Sequence, residues 1–181
     1  MVRCDAFYRA PMSERFRVLV ADPPWPFRDH LPGPGRGASK HYQTMTLQDI
    51  KRFPLPPMYH DSVLFLWRVA AMQQEALDVL SAWDFELKTE LVWKKLTRHH
   101  KRAFGMGRIV RAEHEVCLIA TSGRPSVKSK NTRSIFEATL GRHSAKPDAF
   151  YDLVEQLYDG PYVELFARQP RCGWTCMGDE L

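Results

Sequence analysis

Short apolar runs closed by turn residues alternate along this chain with stretches whose apolar positions fall at helical spacing. The run Val18-Leu19-Val20-Ala21, entered through Phe16 and Arg17, reads as a buried strand. Pro23 and Pro24 end it, because each fixes φ and removes a backbone donor. Val63-Leu64-Phe65-Leu66-Trp67 is apolar at every position, the pattern of a strand covered on both faces. Between these runs, residues 26–43 are rich in Pro and Gly and read as a long loop, of the kind that carries function in a small domain. Thr46 is placed to cap a short helix over 47–53. Leu77 and Leu80, with Ala76, Val79 and Trp83 beside them, give 70–83 a helical stripe. Residues 85–93 alternate as a strand, 94–112 read as a loop, and 115–121 form a further apolar strand closed by Ser122-Gly123. Residues 135–140 read as another strand. Pro147 then opens a helix over 148–157 whose inner face is Phe150, Leu153, Val154 and Leu157. After a turn at Asp159-Gly160-Pro161, residues 162–167 and 174–177 supply the last strands. Strands alternating with helices predict a single α/β domain over residues 1–181, built on a mostly parallel sheet with helices on both faces.

The 181 residues, 44% hydrophobic and 26% charged, suffice for a buried core. No apolar run nears the roughly 20 residues of a membrane-spanning helix. The opening Met1-Val2-Arg3-Cys4-Asp5 lacks an apolar signal segment, which predicts a cytoplasmic protein. Cys4, Cys117, Cys172 and Cys176 are too scattered for a disulfide framework, and no second pair stands beside Cys172 and Cys176, so no metal site is expected. The net charge of +5 is unevenly spread. Lys94, Lys95, Arg98, Lys101, Arg102, Arg108 and Arg111 fall in one stretch without an acid, and Arg124, Lys128, Lys130 and Arg133 in another. Such clusters permit a nucleic-acid partner.

In parallel sheets, ligands sit at the carboxyl ends of the strands. Asp22-Pro23-Pro24-Trp25 occupies one such end, and Arg168 another, after Tyr162-Val163-Glu164-Leu165-Phe166-Ala167. The first corner offers a carboxylate, bare carbonyls and an indole. A planar base with an exocyclic amine suits all three: Asp22 accepts one N–H, the Pro23 carbonyl accepts the other, and Trp25 stacks on the ring. Both acceptors gain strength as positive charge develops on an attacking nitrogen. Gly105-Met106-Gly107 lies in the basic loop and not at a strand–helix junction, so it is no phosphate cradle.

Asp22-Pro23-Pro24-Trp25 is similar to the catalytic signature of the amino-methyltransferases. Around it stand Cys4-Asp5, Leu64-Phe65-Leu66-Trp67, Val92-Trp93-Lys94, Glu113-His114-Glu115-Val116-Cys117-Leu118, His143-Ser144-Ala145-Lys146-Pro147-Asp148 and Glu164-Leu165-Phe166-Ala167-Arg168. In that order, they make nearly the whole chain resemble the MT-A-seventy family of adenine-N6 nucleic-acid methyltransferases. The resemblance implies a Rossmann-like fold dependent on S-adenosylmethionine, with permuted motif order: the catalytic motif precedes the cofactor strand. It implies direct methyl transfer to the N6 amine, with no covalent intermediate and no metal. It assigns catalysis to Asp22, Pro23, Pro24 and Trp25. It assigns the cofactor to Asp5 and Ala6 at the adenine, Asp22, Lys146 at the methionine carboxylate, Arg168 at the ribose with Glu164 in support, and Asp179 and Glu180. The last two stand where the eukaryotic enzyme has an Asn-Gln pair, and Pro170 and Arg171 depart from the family's polar pair.

A base inside a duplex is out of reach, so such an enzyme flips it or works on single strands. Two loops are expected to hold substrate, one through Lys40, His41 and Tyr42 and the other through Lys101 and Arg102. Their cations would bind phosphates without reading sequence. Lys40-His41-Tyr42-Gln43-Thr44-Met45 resembles the compact bacterial and phage members, which favours DNA. The same chemistry on RNA, and a catalytically silent nucleic-acid-binding relative, stand as alternatives. With no separate target-recognition domain, a homodimer or a partner subunit is expected to help select the target.

Overall fold

The computed structural model describes residues 14–26, 44–105, 109–141 and 145–178. Within these, β1 (Phe16–Ala21), β2 (Met58–Arg68), β3 (Glu86–Leu96), β4 (His114–Ser122), β5 (Ile135–Thr139), β6 (Tyr162–Leu165) and β7 (Trp174–Met177) form one sheet. Their spatial order is β5-β3-β4-β2-β1-β6-β7. β1 pairs in parallel with β2 and β6, β6 with β7 and β3 with β5, while β4 runs against β2 and β3. The sheet is therefore mostly parallel with one reversed strand, a Rossmann-like α/β fold.

The all-apolar strands are explained by cover on both sides. Leu19, Ala21, Leu64 and Leu66 face one core, closed by Ile50 of α1 (Leu47–Lys51) and by Ala76, Val79 and Leu80 of α2 (Gln73–Ala82). Val18, Val20, Val63, Phe65 and Trp67 face the other, closed by Phe150, Tyr151, Val154 and Leu157 of α3 (Asp148–Leu157). Phe16 and Val18 fall on opposite faces despite even spacing, because the register shifts between them. The N–H groups of Arg17 and Val18 both donate to the Pro161 carbonyl there.

Several boundaries differ from the sequence expectation. Lys94, Lys95 and Leu96 continue β3 and do not open a loop, because they pair with Glu137, Ala138 and Thr139 of β5. The Lys94 ammonium lies 2.6 Å from Glu137, so the cation that suggests a solvated loop has its acid across the strands. β2 begins at Met58, where the polar stretch before Val63 still pairs with β1 and β4. α2 begins at Gln73 rather than at residue 70. α1 is capped by Thr46, whose hydroxyl accepts from the Asp49 N–H at 3.1 Å, but stops at Lys51, ahead of Pro54. Most of the 26–43 loop lies outside the described residues.

β1 has its sequence successor β2 on one side and β6, reached through α3, on the other. The chain leaves β1 toward β2 and leaves β6 toward β7, in opposite halves of the sheet, the arrangement that sets a ligand crevice at the carboxyl ends of β1 and β6. No helix among the described residues is long and apolar enough to cross a membrane.

Candidate active site at the carboxyl end of the central strand

Asp22 is the first residue beyond β1, at that switch point. The prolines after it turn the chain sharply: the Trp25 N–H donates to the Pro23 carbonyl at 2.8 Å, and the Met45 N–H donates to the Pro24 carbonyl at 2.9 Å. The second bond ties both ends of the 26–43 stretch to the corner. The Trp25 ring corrects the expectation of an open stacking surface. It is only 5% exposed, packed in the core on the α1–α2 side, and its indole Nε1 donates to the Trp67 carbonyl at 2.9 Å. An indole with a partnered N–H and apolar neighbours is stable inside. Here it fixes the corner to the end of β2.

Asp22 meets Lys146, which sits just before α3 and whose Nζ lies 2.7 Å from Asp22 Oδ2. The Lys146 side chain is 9% exposed. Its Nζ also lies 3.3 Å from Glu115 Oε2 in β4, and Glu115 Oε1 lies 2.6 Å from Lys95 Nζ in β3. Four charges of alternating sign thus run across the carboxyl edge, each from a different part of the sheet or its margin. The rings of Trp67 and Trp93 lie beneath the two ammonium groups, at 4.9 Å from Lys146 and 5.6 Å from Lys95.

Burial, the largest single influence on Lys146, would depress its pKa, but Asp22 and Glu115 together outweigh it and leave the pKa raised. Burial would likewise raise Glu115, yet Lys146 and Lys95 hold it below the usual value. Both stay charged at neutral pH, as ion pairs must if buried charge is to be tolerated. Cys117, fully buried beside them, has its thiol pushed well up by burial and is inert as a thiolate.

Glu164 in β6 belongs to the same neighbourhood. It is 6% exposed, accepts a 2.8 Å hydrogen bond from the Tyr151 hydroxyl, and is pushed up to about 7 by burial, with Asp22 adding to the rise against the Tyr151 bond. The Arg171 guanidinium covers the Tyr151 ring at 4.2 Å and donates to the Asp148 carboxylate at 3.1 Å. Beyond β6, Phe166 takes φ +60°, a left-handed conformation costly for a bulky residue, and turns the chain so that Arg168 follows half-buried. Gly178 passes against the Ala167 backbone, where a Cβ would collide, and the Ala167 N–H donates to the Met177 carbonyl at 3.1 Å. Ala167, the residue before Arg168, is thereby tied to β7.

The structure brings together Asp22, Lys146 and Glu164 of the expected cofactor and catalytic set, and adds Glu115, Lys95 and Tyr151. Glu115 carries a signal in the sequence, an acid at the head of an apolar strand; Lys95 and Tyr151 carry none. Lys101 and Arg102 are exposed on the turn beyond β3. Asp5, Ala6, Lys40, His41, Tyr42, Asp179 and Glu180 lie outside the described residues. Among the described residues no cluster of His, Cys, Asp and Glu could hold a metal ion.

An ammonium has three hydrogens, and Lys146 directs two at Asp22 and Glu115. The third can serve a ligand carboxylate, while the part-exposed Asp22 carboxylate offers negative charge to a cation. A zwitterion that carries both a carboxylate and a positive centre fits this donor set.

The MT-A70 family model matches residues 16–180. The human N(6)-adenosine-methyltransferase catalytic subunit METTL3 is 30% identical over 188 residues, which covers 98% of this chain and 30% of METTL3. The MT-A70-like N(6)-adenosine-methyltransferase of Arabidopsis thaliana is 27% identical over 187 residues, 99% of this chain and 26% of that protein. The type II methyltransferase M.MunI of a Mycoplasma species is 26% identical over 198 residues, 98% of this chain and 82% of that protein. This chain spans less than a third of the two larger relatives and most of M.MunI. The match runs from the first residue of β1 to beyond β7 and takes in every charged group gathered at the Asp22 corner, so the chain belongs to MT-A70, a family of S-adenosylmethionine-dependent N6-adenine methyltransferases.

Proposed function

We propose that this chain methylates the N6 amine of adenine in DNA, with S-adenosylmethionine as methyl donor. The observation that carries the proposal is the Asp22 carboxylate, fixed at the sheet's switch point with Oδ2 on Lys146. When bound, S-adenosylmethionine supplies an electrophilic methyl group on a cationic sulfur. Lys146 would hold its carboxylate with the third ammonium hydrogen, and Arg168 would face its ribose side with Glu164 in support.

The exocyclic amine of adenine is a weak nucleophile, because its lone pair is delocalised into the ring. Asp22 Oδ1 accepts one amine N–H while Oδ2 stays on Lys146. The Pro23 carbonyl has a second lone pair beyond the one that takes the Trp25 N–H, and accepts the other amine hydrogen. These acceptors strengthen as the nitrogen turns cationic, so they bind the transition state better than the ground state. They are already held in place, by Lys146 and by the buried Trp25, and little reorganisation is needed at the moment of reaction. The methylated ammonium is acidic enough to release its proton to water, so Asp22 acts as an acceptor and need not be a base.

DNA is favoured on two grounds. The segment Lys40-His41-Tyr42-Gln43-Thr44-Met45 resembles the compact members of the family, and the chain matches most of the length of a type II methyltransferase. The test is incubation with isotopically labelled S-adenosylmethionine and matched single- and double-stranded DNA and RNA, followed by nucleoside digestion and mass spectrometry. Label in N6-methyldeoxyadenosine supports the proposal. Label confined to RNA overturns the DNA assignment, and a folded protein that neither binds the cofactor nor transfers label overturns the enzymatic reading.

A further inference from the structure

β3 does not end in a loose loop. The Thr97 N–H donates to the Lys101 carbonyl at 2.7 Å, Arg102 bridges back to Leu96, and the Ala103 N–H donates to the Lys95 carbonyl at 3.0 Å. Farther along, the Gly105 N–H donates to the Ala112 carbonyl at 2.8 Å, and the Lys95 N–H to the Glu113 carbonyl at 2.9 Å. The chain up to Gly105 and from Ala112 onward is therefore braced on the same two strands that present Lys95 and Glu115 to the active site. Ala103 faces inward, but Phe104 is 58% exposed, Val110 75% and Ile109 97%. The Arg111 guanidinium covers the Phe104 ring at 5.0 Å. Lys101, Arg102 and Arg111 are exposed beside these apolar side chains, and no acid occurs between residues 96 and 112.

Large apolar side chains exposed to water, with Phe104 next to a braced turn, mark a contact surface. The charge around them selects its occupant. A second copy of this chain meeting the same patch about a two-fold axis would set Lys101, Arg102 and Arg111 against like charges. A nucleic-acid strand reverses that cost: phosphates meet the cations, and base faces meet the apolar groups. We propose that Phe104, Ile109 and Val110 pack against the bases that flank the target adenine, while Lys101, Arg102 and Arg111 hold the adjoining phosphates. The inference rests on the proposed nucleic-acid substrate and adds the part of it that this projection recognises.

The test uses the whole chain and an adenine-containing DNA oligonucleotide with 2-aminopurine next to the target position, without methyl transfer. Wild-type binding should quench the fluorophore. Phe104→Ala should weaken binding about tenfold, in the range expected for one lost base–aromatic stack, and relieve the quenching. The slope of log Kd against log salt should stay unchanged. Phe104→Trp should restore both affinity and quenching. Lys101→Gln with Arg102→Gln should instead flatten that slope by about 1.4 to 1.8 for two lost phosphates. Unchanged affinity and quenching in Phe104→Ala would overturn the inference. So would a wild-type dimer that Ile109→Ser converts to monomer, which would identify the patch as a self-contact. Because binding is read without catalysis, an active enzyme indifferent to Phe104→Ala defeats this inference alone.

Discussion

Lys146 and Asp22 lie 124 residues apart in sequence and 2.7 Å apart in space. The lysine comes from the chain just before α3, the aspartate from the end of β1, and the ion pair joins the two margins of the crevice. Replacing Lys146 by Met leaves Asp22 and Glu115 without their shared cation. The expected cost in stability is about 2 kcal/mol, below the 3–5 of a fully buried pair because both carboxylates reach solvent. Cofactor affinity should collapse at the same time. Calorimetric unfolding and cofactor titration check both; a variant unchanged in either would remove Lys146 from its assigned place.

Glu115 acts through Lys146. It raises the lysine's pKa, so Glu115→Gln lowers it. The basic limb of cofactor binding should then move to lower pH. A pH series of cofactor titrations from neutrality to beyond pH 10.5, the ordinary lysine value that Lys146 exceeds, reads this directly, and an unmoved basic limb would show that Glu115 does not bear on the lysine.

The sheet and the corner were legible in the sequence because both depend on local rules. A strand covered on both faces must be apolar throughout, as Val63 to Trp67 is, and paired prolines must end a strand, as Pro23 and Pro24 do. The reversed direction of β4 and the pairing of Lys94 with Glu137 depend on partners far along the chain, which periodicity does not carry. The same holds for the charge row: Asp22 and Lys146 could each be singled out, but not as contacts of one another. Trp25 is ambiguous in the sequence because an indole beside an acid suits a ligand and a core equally, and only its bond to the Trp67 carbonyl places the ring in the core.

That bond makes a prediction of its own. Trp25→Phe keeps much of the apolar volume but strands the Trp67 carbonyl, at a cost of about 1–3 kcal/mol. The rate at saturating substrate should fall with it, since the Asp22 corner loses its anchor, while cofactor affinity changes little. Loss of affinity with an intact rate would argue that the ring contacts ligand after all.

Glu164 gives the fold a pH dependence with a defined sign. Its carboxyl is pushed up to about 7 from an ordinary 4.5, so between these values the folded state binds more protons than the unfolded. Stability from this group is complete below pH 4.5 and is lost as pH rises through 7, by about 3 kcal/mol. Glu164→Gln should flatten that part of the stability curve and be the more stable form at pH 8. Denaturant unfolding at pH 5 and pH 8 provides the comparison, and an equal pH dependence in both proteins would contradict it.

The central claim is that Asp22 holds the target amine rather than the methyl donor. Its most direct test is single-turnover methyl transfer by Asp22→Ala, with S-adenosylmethionine affinity measured on the same preparation. The account predicts a rate lowered by at least about a hundredfold, the scale of one lost preorganised transition-state contact, with affinity within a few-fold of wild type. An active variant, or one whose only defect is failure to bind the cofactor, would contradict it.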